Sequence, residues 1–193
     1  MKKFELTAES KINIFGKKLF RIKALISFGD VEEGETGGWI EKEENLEQSS
    51  GDAWVYGNAR VYGDARVSGD AWVYGDAEVS GNARVYGDAE VSGDARVSGN
   101  ARVSGDAEVS GNARVSGDAD YTTIHGFGTQ FRTTTFFQCE DKQIRVSCGC
   151  FLGTIPEFRE QVKNTREGKI AEEYLMIADL MEKHFVKEKE SGE

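Results

Sequence analysis

From Gly51 to Thr122 the chain repeats one six-residue phrase twelve times without insertion or deletion, beginning GDAWVY-GNARVY-GDARVS-GDAWVY. The grammar is Gly, Asp or Asn, Ala, a variable residue, Val, then Tyr or Ser. Valine holds the fifth place eleven times, from Val55 to Val115, and Tyr121 replaces it in the last hexad. A fixed period over so long a run dictates architecture before any other signal is weighed. Ala and Val stand two apart, so on a strand they share one face, while the variable residue and the Tyr or Ser share the other. Gly with Asp or Asn supplies the corner, because both tolerate left-handed backbone. Three such faces make one coil of eighteen residues. The period therefore predicts a left-handed parallel β-helix of four coils, roughly 19 Å tall at one strand spacing per coil. The fold class expected is mainly β: this helix, an N-terminal β cap, and a C-terminal β/α unit.

A solenoid cannot leave its end coils bare, since open edges recruit other chains. The flanks are accordingly read as caps, with boundaries at 1–38 for an N-terminal hairpin, 39–122 for the β-helix, and 123–193 for a C-terminal hairpin plus two helices. In residues 3–28 apolar and polar positions alternate about a turn at Gly16-Lys17-Lys18, and Ile12, Ile14, Leu19, Phe20 and Ile22 are expected to cover the first coil. Trp39-Ile40 and Leu46 read as degenerate hexad positions entering the coils.

The run FGDVEEGETGGWIEKEENL followed by GDAWVYGNARVYG, with RTTTFF and CGCFLGT downstream, resembles the hexapeptide-repeat proteins common in bacteriophages and related mobile elements, which are often labelled polymer-forming or transferase-like. The resemblance implies a phage-encoded protein acting in the cytoplasm of a host cell, with a counter-defence role.

Charge narrows the function classes. The net charge is −10, with seven Lys or Arg against two Glu in residues 1–23, and eight acids against Lys42 in 30–47. The coils carry six Arg against twelve acids. That surface argues against direct nucleic-acid binding, which needs a basic footprint. With no signal peptide and no long apolar run, a soluble cytoplasmic protein without membrane contact is expected. Three cysteines outside a secretory context suggest reduced thiols.

Beyond Thr122, Gly126 and Gly128 mark a loop, and Glu140-Asp141-Lys142 a hairpin turn. Thr154 with Glu157 and Pro156 announces a helix to about Asn164. Ile170, Tyr174, Ile177, Met181 and Phe185 predict a second helix from Ile170 to Val186, packed by one apolar stripe. The tail KEKESGE is expected to be disordered.

Residues eighteen apart must stack. One face then presents Trp54, Trp72, Glu90 and Glu108 with Tyr56, Tyr74, Ser92 and Ser110 beside them, an outward aromatic patch of Trp54, Tyr56, Trp72 and Tyr74. The patch serves either a subunit interface, in a homo-oligomer with a trimer favoured, or the N-terminal hairpin folded over it. A second face carries Arg60, Glu78, Arg96 and Arg114, and a third Arg66, Arg84, Arg102 and then Asp120. A corner stacks Asp52, Asp70, Asp88 and Asp106, whose side chains are expected to bond the turn backbone rather than a cation.

The ligand constellation is HGFGTQFRTTT. Gly126 and Gly128 expose backbone N–H groups, Arg132 adds a planar cation, and Thr133, Thr134 and Thr135 add hydroxyls beside His125. Together they suit a phosphate or carboxylate. The function expected is non-enzymatic binding, either of a nucleotide-like anionic small molecule or of a host defence protein, with no cofactor. The rivals are a hexapeptide-family acyltransferase with His125 as general base and a structural assembly protein. Cys139, Cys148 and Cys150 with His125 lack zinc-knuckle spacing, so no metal is expected.

Overall fold

The computed structural model describes residues 2–185, so Val186 and the KEKESGE tail lie outside the described residues. The chain divides into two units, residues 1–118 and 119–193.

The first unit opens with β1 (Phe4–Ile12), β2 (Lys18–Ala24) and β3 (Thr36–Ile40). Eleven two-residue strands follow at six-residue intervals, from β4 (Trp54–Val55) to β14 (Arg114–Val115). Pairing is parallel and links residues eighteen apart: Trp54 to Trp72, Arg60 to Glu78, Arg66 to Arg84. The result is a parallel β-solenoid of about four turns on three faces. Every Ala and Val from Ala53 to Val115 in this pattern is buried. The hexad glycines from Gly51 to Gly111 take positive φ, and at several of them close stacking excludes a side chain: a Cβ on Gly69 (φ +68°) would lie 2.9 Å from the amide nitrogen of Gly87.

In the coils the amides of the variable and the Tyr or Ser positions donate to carbonyls of the next coil, as Trp54 N does to Ala71 O (3.1 Å) and Arg60 N to Ala77 O (2.9 Å). The first coil has no coil before it, so its carbonyls on that side need other donors, and the N-terminal segment supplies them. Trp39 N reaches Ala59 O and Glu41 N reaches Val61 O, which continues the sheet through β3. Asn45, fully buried, gives both protons of its amide to Gly63 O (3.1 Å) and Ala65 O (2.8 Å). Lys3 Nζ donates to Gly51 O and Ala53 O, both at 3.1 Å. Burial pulls the Lys3 pKa down, and carboxylates led by Asp52 oppose that shift. The cap works by completing backbone bonds as well as by covering apolar surface.

Two details differ from expectation. Ile12 and Ile14 point to solvent at the hairpin tip (Ile14 is 88 % exposed), so the covering is done by Phe4, Leu19 and Ile22. The twelfth hexad does not form a coil strand. Asp118–Asp120 is a short 3-10 helix, and the unit boundary falls after Asp118, before the expected 122. Asp120 thus leaves the arginine column. With Tyr121 in place of the eleven-fold valine, this hexad lacks the apolar residue that holds a coil strand inward.

The second unit is an antiparallel meander of β15 (Tyr121–Phe127), β16 (Arg132–Gln138), β17 (Ile144–Cys148) and β18 (Phe151–Thr154), followed by α1 (Ile155–Thr165) and α2 (Gly168–His184). It is a four-stranded sheet where one hairpin was expected. Thr154 caps α1, accepting from Glu157 N at 3.3 Å while the Glu157 carboxylate accepts from Thr154 N at 2.7 Å. Tyr174, Ile177 and Met181 are buried against Phe136, Val146 and Phe158, with Ile170 and Phe185 at the margins. Among the described residues no helix is long and apolar enough to cross a membrane.

Candidate ligand pocket

The antiparallel register of β16 and β17 places Thr134 opposite Cys148, and β18 returns so that Phe151 also pairs with Cys148. Phe158, Gln161, Val162 and Thr165 follow one another at helical spacing on α1 and face the same hollow. The cavity, about 360 Å³, is lined by Cys148, Phe151, these four α1 residues, Tyr174, and the polar residues Thr129, Gln130, Arg132, Cys150 and Arg166. Its floor is aromatic: Phe158 meets Tyr174 edge-on at 5.8 Å and Phe151 at a tilt at 5.5 Å. Two guanidinium groups enter it, and among the described residues no carboxylate lines it.

The Tyr174 hydroxyl donates to Phe127 O (3.2 Å). Burial, then the Cys148 thiol, raises its pKa, so the phenol stays neutral. Thr134 Oγ1 donates to Cys148 Sγ at 3.2 Å. Arg166 caps α1 and donates through Nη1 to Thr165 O (3.1 Å). The Arg132 guanidinium has no hydrogen bond or ion pair among the described residues. It passes so near Gly149 that any side chain there would collide with Nη1. An unmatched planar cation beside a second one, over aromatic rings, suits a planar anion.

The seven residues expected to form one cradle are only partly brought together. Arg132 lines the pocket. Gly128 backs against Tyr174, where a side chain would strike the ring hydroxyl. Gly126 lies within β15 at a break in register between Ile124 and Phe127, whereas Gly128 opens the turn before β16, so only Gly128 falls in the expected loop. His125 is exposed, and its Nδ1 meets Thr133 Oγ1 at 3.1 Å. Thr134 and Thr135 are 2 % and 1 % exposed. On a strand neighbouring threonines point to opposite faces, so the row of hydroxyls cannot converge on one ligand. Arg166, Gln130, Gln161 and Tyr174 were missed. No spacing signals them, because they meet only through the meander and the helix turn.

Of the two roles open to the aromatic patch, Trp54 takes cover by the N-terminal segment, not a subunit interface. Trp54 is fully buried beneath Phe4 and Phe28, at 6.1 and 5.4 Å, and has no surface left for a subunit. Tyr56 and Trp72 stack edge-on at 5.7 Å, and Tyr74 donates to Glu90 at 2.9 Å; all three are half-buried. Of the three thiols, Cys139 sits about 17 Å along β16 from the Cys148 end, at strand rise. No group of three or more His, Cys, Asp or Glu is placed to hold a metal ion among the described residues. In the Asp corner column, Asp70 accepts from Asp52 N at 2.8 Å.

Residues 53–69, 59–75, 77–93, 89–105 and 95–110 match the YdcK beta-solenoid repeat. The chain is similar to that family through its coils alone. Neither the N-terminal hairpin nor the C-terminal unit takes part in the match. No curated protein matches the chain at a significant level.

Proposed function

We propose that the protein is a non-enzymatic binding protein in which the solenoid is scaffold and the C-terminal unit takes a small planar anion, nucleotide-like in chemistry, into the Arg132 pocket. One observation carries this reading. Arg132 and Arg166 share a cavity with an aromatic floor and, among the described residues, no carboxylate, so charge and stacking surface converge on one ligand. Sequestration of an anionic signal in this way is the form that a counter-defence role would take in a phage-encoded chain. The scaffold is read as a left-handed helix of hexapeptides. Support for that comes from the six-residue period, the Ala/Val interior and the Gly-Asp or Gly-Asn corners, which leave only short strands and tight turns.

Isothermal titration of the full chain with adenosine monophosphate and a cyclic dinucleotide tests the pocket. Arg132→Ala is expected to weaken binding tenfold or more, since a charge-assisted hydrogen bond contributes about 1.5–3 kcal/mol. Arg84→Ala, on a coil face, is expected to leave the affinity unchanged. If Arg84→Ala weakens binding while Arg132→Ala does not, the anion lies on the coils and the pocket reading fails. If neither nucleotide binds the wild-type chain, the nucleotide-like ligand class is wrong.

A further inference from the structure

Two outward columns of the solenoid are complementary to each other. On one face Arg66, Arg84 and Arg102 follow in strict parallel register. They are exposed, and their guanidinium groups have no hydrogen bond or ion pair among the described residues. They line an open trough of about 640 Å³ with Ser68 and Tyr86. On the next face Trp72, Glu90 and Glu108 stand in the same register. Six residues separate each arginine from its counterpart, which is one third of a coil, so the two columns differ in height by about 1.6 Å.

Set two copies side by side with axes parallel and heights equal. Arg66 then faces Trp72, Arg84 faces Glu90, and Arg102 faces Glu108, with an offset that an arginine side chain spans easily. The geometry points to a docking surface for a second copy of this chain: the arginine column of one copy lies on the Trp72–Glu90–Glu108 column of the next, through one cation–π contact and two ion pairs. Three guanidinium groups at about 4.8 Å spacing repel one another until carboxylates at the same spacing answer them, and the chain's own next face carries such a ladder. A free polyanion fits less well, because Glu43, Glu44 and Glu47 close the N-terminal end of the same trough and the chain as a whole is at −10. The contact joins two different faces, so each copy offers one of each to its neighbours, and equal heights favour closure into a ring over a filament.

Charge reversal tests the pairing in the full chain. Arg84→Glu with Arg102→Glu makes both columns acidic; Glu90→Arg with Glu108→Arg makes both basic. Sedimentation of the wild type is expected to show a particle larger than one chain, and each variant alone should run as a single chain with unchanged far-UV circular dichroism. An equimolar mixture of the two variants should regain the wild-type mass, which mere surface damage would not produce. If Glu90→Arg, which also gives up the Tyr74 bond, does not fold, Glu90→Gln with Glu108→Gln replaces it as the arm expected to lose mass. The inference is overturned by a wild type that stays a single chain at the highest attainable concentration, by a folded variant that keeps the wild-type mass, or by folded reversed variants that do not assemble when mixed.

Discussion

The coils and the C-terminal unit are both β-structures closed by burial, and they spread that burial in opposite ways. In the coils each valine has the same surroundings as the valine eighteen residues away, and the interior is a stack of equal, small contributions. In the C-terminal unit a few large rings interlock once each: Phe136 meets Phe158 edge-on at 6.3 Å, and Phe158 meets Tyr174 at 5.8 Å. Repetition leaves the outward positions of the coils free to vary without touching the core, which is why columns of charge can be written there. Interlocking rings fix a single cavity shape, which is what a small-ligand pocket needs.

The largest effect that separates the two designs is expected from cavities. Phe136→Ala removes the ring at the centre of the C-terminal core and should cost about 3–5 kcal/mol, read as loss of the helical signal of α1 and α2 at lower denaturant. Val79→Ala and Val97→Ala should each cost about 2 kcal/mol, from two lost methyl groups and the void they leave. Those two should also equal one another, because the coil gives them the same neighbours. Unequal costs at Val79 and Val97 would break the claim that the coils share their burial evenly.

The same contrast explains what could be read from the sequence. Period six settles the strands, the inward Ala and Val and the eighteen-residue register, since each hexad repeats the same local argument. The paired signal of Thr154, Pro156 and Glu157 marks the start of α1, and the stripe from Ile170 to Phe185 marks α2. Strand parity points Trp54 outward and leaves its role open between a subunit and the N-terminal segment; Phe4 and Phe28 cover it from segments that parity does not describe. Gly37 and Gly38 carried the signal for that cover. A Cβ on Gly37 would lie 2.6 Å from Ile22 and Val55 and 2.7 Å from Trp54, so β3 passes there at backbone distance. The pocket was legible only at Arg132. Its other residues come from β16, β17, β18, α1 and α2, and no local rule relates Gln130 to Gln161 or Arg166.

A second contrast lies at the two kinds of closure. The first coil ends in carbonyls answered by the Lys3 and Asn45 side chains, whereas helix α1 starts from a self-contained capping box. Lys3→Met keeps most of the apolar stem beneath Phe28 but leaves Gly51 O and Ala53 O without their donor. It is expected to cost about 2 kcal/mol, as for charged hydrogen bonds. Thr154→Ala should cost about 1 kcal/mol. Chemical denaturation of both variants checks the order. A Thr154→Ala loss larger than that of Lys3→Met would mean that the solenoid end does not depend on its side-chain donors.

The smallest and sharpest comparison uses two buried tyrosines. Tyr62 lies in the first unit with its hydroxyl on the Glu78 carboxylate, and burial together with that bond pushes its pKa up to about 12. Tyr174 lies in the second, raised by burial and then by Cys148. An unfolded tyrosine titrates near pH 10. Below that value both phenols are neutral in either state, and their full contribution to stability is present. Above it the unfolded chain releases the proton while the folded chain holds it, so the contribution falls, for Tyr62 across roughly pH 10 to 12. Tyr62→Phe removes the ionisable group, and the stability curve of the variant should be flatter than that of the wild type over this window. Tyr174→Phe should flatten it less, since burial there is reinforced by a thiol rather than by a carboxylate. Denaturant midpoints measured at steps between pH 9 and 12 give both curves; equal slopes for wild type and Tyr62→Phe would show that the Glu78 bond does not hold the Tyr62 proton.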